Sequence, residues 1–471
     1  LNQLDLPKTM TLIEQTFSRV WQNQQRDDLG DRKSSYEDLV TLFKSELSQE
    51  QPLEVIEQFF RDYLKHSVNT AHPYFNNQLF SGVEWSAVLG DLLTAVTNTT
   101  MATFESSPVG TVLESMLIDK LLAKIGYNNG EGIMVGGGSQ ANMQAMVCAR
   151  QHVLDGFNQD PSRFPGLKIF VSEHAHYSFK KAAMVMGLGV RGVVKVPVNA
   201  QNQMDAAVLD QMIQSAKASG DTPFMVAATA GTTVYGAFDQ IPDLAEVCSK
   251  HNLWLHVDGA WGAPAFFSDR YSKHLLGSEL ADSWTWDAHK LMGATLTSSF
   301  FLSRHKNNLI QTNGLDDCKY IFHEDDAVSR DFGPMSLQCG RRVTSASLWT
   351  QWLKEGDAGF AKKVDHLDDV KKYMLDKIKQ HPRFELIAEA PFLNICFRVL
   401  SDKIDCLSLF NEKIRETLKA RGQFLVNYYE DKNGLLFFRF ILSNSLFTKK
   451  HADSFFAFLL EVADEIEVSG L

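Results

Sequence analysis

The chain has 471 residues, 44% of them hydrophobic and 22% charged, with a formal net charge of −11. That length calls for a large domain plus one or two smaller ones, and an acidic chain with no lysine- or arginine-rich block argues against nucleic acid as a partner. Six cysteines with no CxxC pair and the lack of any run of about 18 apolar residues argue against a disulfide scaffold and a membrane span, so a reducing, cytoplasmic setting is expected.

Residues 1–70 read as helices divided by short breaks; LVTLFKSEL and PLEVIEQFFRDYLKH carry apolar positions at helical spacing. Residues 71–345 alternate short apolar runs with helical patterns. The runs are GIMVGG, LKIFVSE, VVKVPV, PFMVAATA, LWLHVDGA, SWTWDA and SSFFLS. Several are apolar at every position, as strands covered on both faces must be, so an α/β domain with a mainly parallel central sheet flanked by helices is expected. Residues 346–471 open with a long helix from near Ala346 past Tyr373. The strands FELIAEA, NICFRVL and LLFFRFILS then mix with helices near 406–421 and 448–466. This predicts a smaller α+β domain.

Five segments carry chemistry. In IMVGGGSQANMQAM, three glycines and a serine join a strand to a helix, where bare N–H groups and the helix N-terminus suit a phosphate. The turn lacks the Walker lysine and the GxGxxG frame, which argues against ATP and NAD; a plain strand–helix turn is the alternative. VSEHAHYSFKKAA holds His174 and His176. With no third ligand nearby, a ring that stacks on a planar group or relays protons reads better than metal; a helix-start histidine satisfied by backbone is the alternative.

In LWLHVDGAWG, Asp258 ends an apolar strand and needs a cation or hydrogen-bond donors. A protonated ring nitrogen at ~4 Å would contribute about 4 kcal/mol at an effective dielectric of ~20; capping of the next turn is the competing role. In SWTWDAHKLMG, Lys290 follows His289 at a strand end, the place where a desolvated lysine forms a Schiff base. An exposed strand-end lysine is the plainer reading. Finally, LLFFRFILS puts Leu435, Phe437, Arg439 and Ile441 on one face, so Arg439 needs an anion, either a substrate carboxylate or a structural acid.

The order of these segments resembles the pyridoxal-phosphate decarboxylases that include the glutamate, cysteine sulfinate, aromatic amino acid and L-2,4-diaminobutyrate enzymes. The likeness runs from about residue 70 to about residue 450, through HPYFNNQLFSG, SEHAHYSFKKAA, ATAGTTVYGAFD, HVDGAWG, HKLMG, LQCGRR and FFRFILSN. It implies a fold-type I homodimer with the active site at the subunit interface and pyridoxal 5′-phosphate as cofactor. On that resemblance Lys290 is the aldimine lysine, Asp258 binds the ring nitrogen, Ala260 lies against the ring and His176 stacks on it. Gly138, Ser139 and His289 fall to the phosphate side, Thr232 to a matching strand end that binds the cofactor, Arg439 to the substrate carboxylate, and Asn77 with Gln78 to the edge of the pocket.

Two positions depart from the family pattern. Asp287 stands where the family has asparagine, which puts a carboxylate near the phosphate. Val328, in the loop YIFHEDDAVSRDFG, stands where the family has the tyrosine that returns a proton to the substrate carbon; Tyr320, His176 or another group is then the donor, or the product differs. The expected reaction is α-decarboxylation of an L-amino acid to its amine. L-2,4-diaminobutyrate is the preferred substrate by resemblance, an acidic amino acid the runner-up. Decarboxylation coupled to aldehyde formation and a catalytically silent cofactor-binding protein are the rivals.

Overall fold

The computed structural model describes residues 6–24, 29, 34–45, 47–158, 160–314, 320–322 and 330–470. They fall into two compact units. One joins Leu1–Gly82, Asp369–Ala388 and Ile395–Leu471, and the other joins Val83–Asp368 and Glu389–Asn394.

The larger unit is built on seven strands, β1 (Glu131–Val135), β2 (Leu167–Ser172), β3 (Val193–Val196), β4 (Thr222–Thr229), β5 (Trp254–Asp258), β6 (Ser283–Asp287) and β7 (Ser299–Ser303). Their order is β1-β7-β6-β5-β4-β2-β3. Strands β2 to β6 pair in parallel, and only β7 runs against its neighbours β1 and β6. All seven apolar runs of the sequence are therefore strands, and the sheet is mainly parallel as expected. Helices α4 (Trp85–Thr97) and α5 (Pro108–Ile125) precede the sheet, and α6 (Gly138–Val153) follows β1.

Strands β5 and β6 are buried at every position, yet they are not uniformly apolar. Alternation sends Trp284 and Trp286 to one face of β6 and Ser283, Thr285 and Asp287 to the other. On the apolar side Trp286 stacks on Phe266 at 5.6 Å. Register sets His256 beside Ser283 and Asp258 beside Thr285, so the two central strands share a buried polar stripe. Helix α6 packs on both strands, and its Asn142 is hydrogen-bonded to this stripe.

The smaller unit holds α1 (Leu6–Gln24), α2 (Tyr36–Phe43) and α3 (Leu53–His66), which match the helical reading of the first 70 residues. It also contains α12 (Leu407–Arg421), α13 (Lys449–Ser469) and most of a four-stranded sheet ordered β10-β11-β9-β8. These strands are β8 (Phe384–Leu386), β9 (Asn394–Val399), β10 (Asn427–Glu430) and β11 (Leu436–Ile441). Strand β10 escaped the sequence reading because NYYE has no apolar run to mark it. The long helix α11 (Ser345–Gln380) is broken at Gly356, whose φ of 59° leaves the helical region. No helix among the described residues is long and apolar enough to cross a membrane.

A buried ion pair braces the start of the larger unit. Glu114 of α5, fully buried, takes both Nη atoms of Arg341 at 3.0 and 3.2 Å and the Met134 N–H of β1 at 2.9 Å. Removing the acid strands a buried guanidinium. Glu114→Ala is therefore expected to destabilise the chain by about 3–5 kcal/mol in urea unfolding; a loss below about 1 kcal/mol would show that the pair contributes no more than an exposed one.

Candidate functional site

The ends of β5 and β6 bring the sequence-predicted residues of the larger unit together. Asp258 is 5% exposed. Its Oδ1 accepts the Ala260 N–H at 3.1 Å, and its Oδ2 accepts Asn142 Nδ2 at 2.8 Å. The turn-capping role and the binding role are thus compatible: the carboxylate closes the turn through Ala260 while α6 holds its other oxygen.

Three residues past β6, Lys290 Nζ lies 2.9 Å from Asp287 Oδ2, and His289 Nε2 lies 3.9 Å from the same oxygen. The Asp287 side chain is almost wholly buried. Burial pushes its carboxyl upward, but the charges of Lys290 and His289 outweigh this and hold it below the usual carboxylate value. The glycine turn abuts the same group, since a Cβ on Gly138 would sit 2.6 Å from Asp287 Oδ2. Gly138 is therefore required by close approach. Gly137, at φ 131°, is required by backbone conformation, and a Cβ there would meet nothing within 4 Å. Helix α6 begins at this turn with no side-chain cap, and Ser139 on its first turn is exposed.

His176 is close enough to Asp258, Lys290 and Asp287 for its titration to respond to all three, although burial is the main influence and lowers its pKa. Its Nδ1 accepts the Ser178 N–H at 3.3 Å. His174 turns to a different environment, with Nε2 3.3 Å from Asn202 Oδ1 and its ring 4.7 Å from Tyr235. The two histidines of the His-x-His pair thus have separate partners. Among the described residues no group of three or more His, Cys, Asp or Glu side chains is arranged to hold a metal ion. Thr232 is fully buried, and its hydroxyl accepts the Ala237 N–H at 3.0 Å within its own turn.

Arg439, Asn77 and Gln78 lie in the smaller unit. Arg439 of β11 is 9% exposed and donates from Nη2 to the Asn77 carbonyl at 2.7 Å. Burial lowers its guanidinium pKa from the ordinary value. Ser443 Oγ donates to the Gln78 carbonyl at 3.3 Å. The Asn77 and Gln78 carbonyls thus accept from Arg439 and from Ser443, just past β11. Tyr320 is 79% exposed, and Val328 lies outside the described residues.

Sequence reading missed Asn142, His256, Ser283, Thr285 and Ser178, all buried. A usable signal was present: WLHVD and SWTWD place a polar residue at every second position of strands that flanking helices must bury.

These residues suit pyridoxal phosphate. An amine and a carboxylate stand at the ends of neighbouring parallel strands, and an uncapped helix N-terminus with an open glycine turn lies beside them. Only Asp287, an acid at the phosphate end, is chemically unlike the rest of the donor set. Together they define a fold-type I cofactor site.

The family model described as the pyridoxal-dependent decarboxylase conserved domain matches residues 37–400. Cysteine sulfinic acid decarboxylase of Mus musculus is 36% identical over 449 residues, covering 92% of this chain and 90% of that protein. Acidic amino acid decarboxylase GADL1 of Xenopus tropicalis is 33% identical over 433 residues, covering 89% and 83%. The crystal structure of mouse CSAD aligns with a TM-score of 0.93 at 32% identity, covering 98% and 99% of the two chains. The chain belongs to the pyridoxal-dependent decarboxylase family, and it is an amino-acid decarboxylase that uses pyridoxal phosphate.

Burial makes the stability of this site depend on pH. It drives His256 down to about 3 and lowers His176 and His289 as well. A histidine held neutral in the fold contributes stability that is complete above ~6.5, its unfolded value, and is lost as pH falls. In urea unfolding, the native chain should lose stability between pH 7 and pH 5. His256→Gln should lessen that loss by about 1.4 kcal/mol per unit below ~6. Equal losses in both proteins would contradict a neutral, buried His256.

Proposed function

We propose that the chain removes the α-carboxylate of an acidic L-amino acid of the cysteine sulfinate, aspartate and glutamate class, releasing CO₂ and the amine. The carrying observation is the 36% identity, over 92% of the chain, to a cysteine sulfinic acid decarboxylase; relatives named acidic amino acid decarboxylases support it at 33%. The leaning toward diaminobutyrate drawn from the sequence is replaced by its runner-up. Diaminobutyrate has support from the Vibrio parahaemolyticus structure of the glutamate decarboxylase domain of a diaminobutyrate-pyruvate transaminase and L-2,4-diaminobutyrate decarboxylase, at 25% identity and a TM-score of 0.87 over 99% of this chain and 96% of that one. Chemistry favours the runner-up. A side-chain ammonium needs a carboxylate to receive it, and in this reading both carboxylates of the strand-end cluster serve the cofactor, Asp258 at its ring nitrogen and Asp287 beside Lys290.

In this reading Lys290 holds the cofactor through Nζ, Asp258 faces the ring nitrogen, and His176 and Ala260 lie against the ring. Gly138, Ser139, Thr232, His289 and Asp287 surround the phosphate. The cofactor, when bound, supplies the sink for the electron pair left behind by CO₂. Arg439, anchored on the Asn77 carbonyl, binds a substrate carboxylate, and Asn77 and Gln78 edge the pocket. A neutral His176 can hold or pass a proton.

CO₂ and amine release by purified enzyme on cysteine sulfinate, aspartate, glutamate and 2,4-diaminobutyrate tests the substrate class. The best acidic substrate should exceed diaminobutyrate in kcat/KM by about tenfold or more, a difference of about 1.4 kcal/mol. Equal or better rates with diaminobutyrate would reverse the choice. Lys290→Ala should abolish both turnover and the absorbance of covalently held cofactor.

The active unit is proposed to be a homodimer in the cytoplasm. Helix α3 exposes Val55, Ile56, Phe59 and Tyr63 by 40–57%, an apolar face suited to a second copy. Sedimentation at micromolar concentration should give a dimer of the 52.9 kDa chain; a monomer would count against the assignment.

A further inference from the structure

Behind the Asp258 carboxylate lies a chain of buried polar groups that none of the assigned roles uses. It begins at Trp254, whose indole N–H can only donate and lies 2.8 Å from Ser283 Oγ. With that oxygen accepting, the Ser283 hydroxyl proton is free to reach His256 Nδ1, also at 2.8 Å. Burial keeps His256 neutral, so an accepting Nδ1 places the ring proton on Nε2, which is 3.1 Å from Asn142 Oδ1. Thr285 Oγ1 donates to the same oxygen at 2.8 Å. The Asn142 amide then presents its NH₂ the other way, to Asp258 Oδ2 at 2.8 Å and Ser178 Oγ at 2.9 Å. The Ser178 backbone N–H in turn holds His176 Nδ1 at 3.3 Å.

Each donor in this sequence meets an acceptor. The reversed amide would set its NH₂ against the His256 Nε2–H and its carbonyl against a carboxylate. Asn142, His256, Ser283, Thr285, Ser178 and Trp254 are all at most 1% exposed, so water cannot substitute for a lost partner.

We propose that Asn142 is the positioning residue for the cofactor's ring, fixing the Asp258 carboxylate and the His176 imidazole through one amide whose orientation is set by the Trp254–Ser283–His256 chain. The inference rests on the reading of Asp258 as the partner of the ring nitrogen. Asn142 and His256 touch neither substrate nor cofactor in this scheme; they act through Asp258 and His176.

The test loads full-length enzyme with cofactor labelled with ¹⁵N in the ring and reads the nitrogen resonance at pH 7 together with the cofactor Kd, using circular dichroism to confirm folding. Asn142→Leu should move the resonance toward the unprotonated position, because the carboxylate turns away. It should also raise Kd by about tenfold or more, the scale of one hydrogen bond to a charged group. His256→Phe should act in the same direction. His256→Gln should restore the native signal, since its amide can accept from Ser283 and donate to Asn142.

Folded Asn142→Leu and His256→Phe proteins with native resonance and Kd would overturn the proposal, while a changed resonance in Asp258→Ala would leave the reading of Asp258 as the ring-nitrogen partner standing. If Asp258→Ala also keeps the native signal, the site reading itself fails and the inference with it. Loss of rescue by a folded His256→Gln protein would reduce the chain to packing and overturn the proposal. Should Asn142→Leu not fold, Ser283→Ala, which removes the donor to Nδ1, must shift the resonance part of the way; no shift would overturn it.

Discussion

The constraint on which this architecture turns is that polar atoms enclosed in a dry sheet–helix interface must find protein partners. An unsatisfied buried donor or acceptor costs about 1–3 kcal/mol, and a buried ion far more. Strands β5 and β6 carry six such residues on their paired faces if the Trp254 indole is included, and α6 covers them. The Asn142–Asp258 hydrogen bond is where this requirement meets the chemistry, because it secures a carboxylate at a strand end without neutralising it with a cation.

That requirement also explains why one helix serves several ends of the site. Helix α6 opens at the glycine turn, and Asn142 follows Gly138 by about one turn, a rise of roughly 6 Å. Its N-terminus abuts Asp287 at Gly138, while its first buried polar side chain reaches Asp258 and Ser178. The spacing between the Asp287 and Asp258 ends of the site is thus set by helix geometry rather than by loops. Gly138 is pinned by its approach to Asp287 and Asn142 by its four polar neighbours, so α6 cannot slide along the sheet without breaking one end or the other.

Much of this was legible in the sequence, and the reasons are specific. The apolar runs of the middle region are strands because both faces are buried, and Lys290 and Asp258 declared themselves as charged residues ending such runs. The pairing of Asp258 with Thr285 and of His256 with Ser283 depends on strand order and register, which no single strand encodes. Asn142 sits in a helix among small and apolar residues and looks like an ordinary surface amide until the helix is placed on the sheet. Arg439 was recognised as a buried cation in need of an acceptor. Its Asn77 carbonyl is 362 positions away in sequence, a distance no spacing rule spans.

Asp287 shows how the same physics treats two carboxylates differently. Asp258 is held by neutral N–H donors, from Ala260 and Asn142, which leave it able to attract a cationic ring nitrogen. Asp287 has Lys290 at 2.9 Å, so its charge is already compensated within the chain. An asparagine there would offer a phosphate an N–H, whereas an aspartate offers only lone pairs and its own charge. A phosphate bound at this end would then draw its electrostatic attraction from groups beyond Asp287, chiefly the uncapped start of α6 and the open backbone of the glycine turn. An acid is tolerable at this position because the Lys290 amine lies against it.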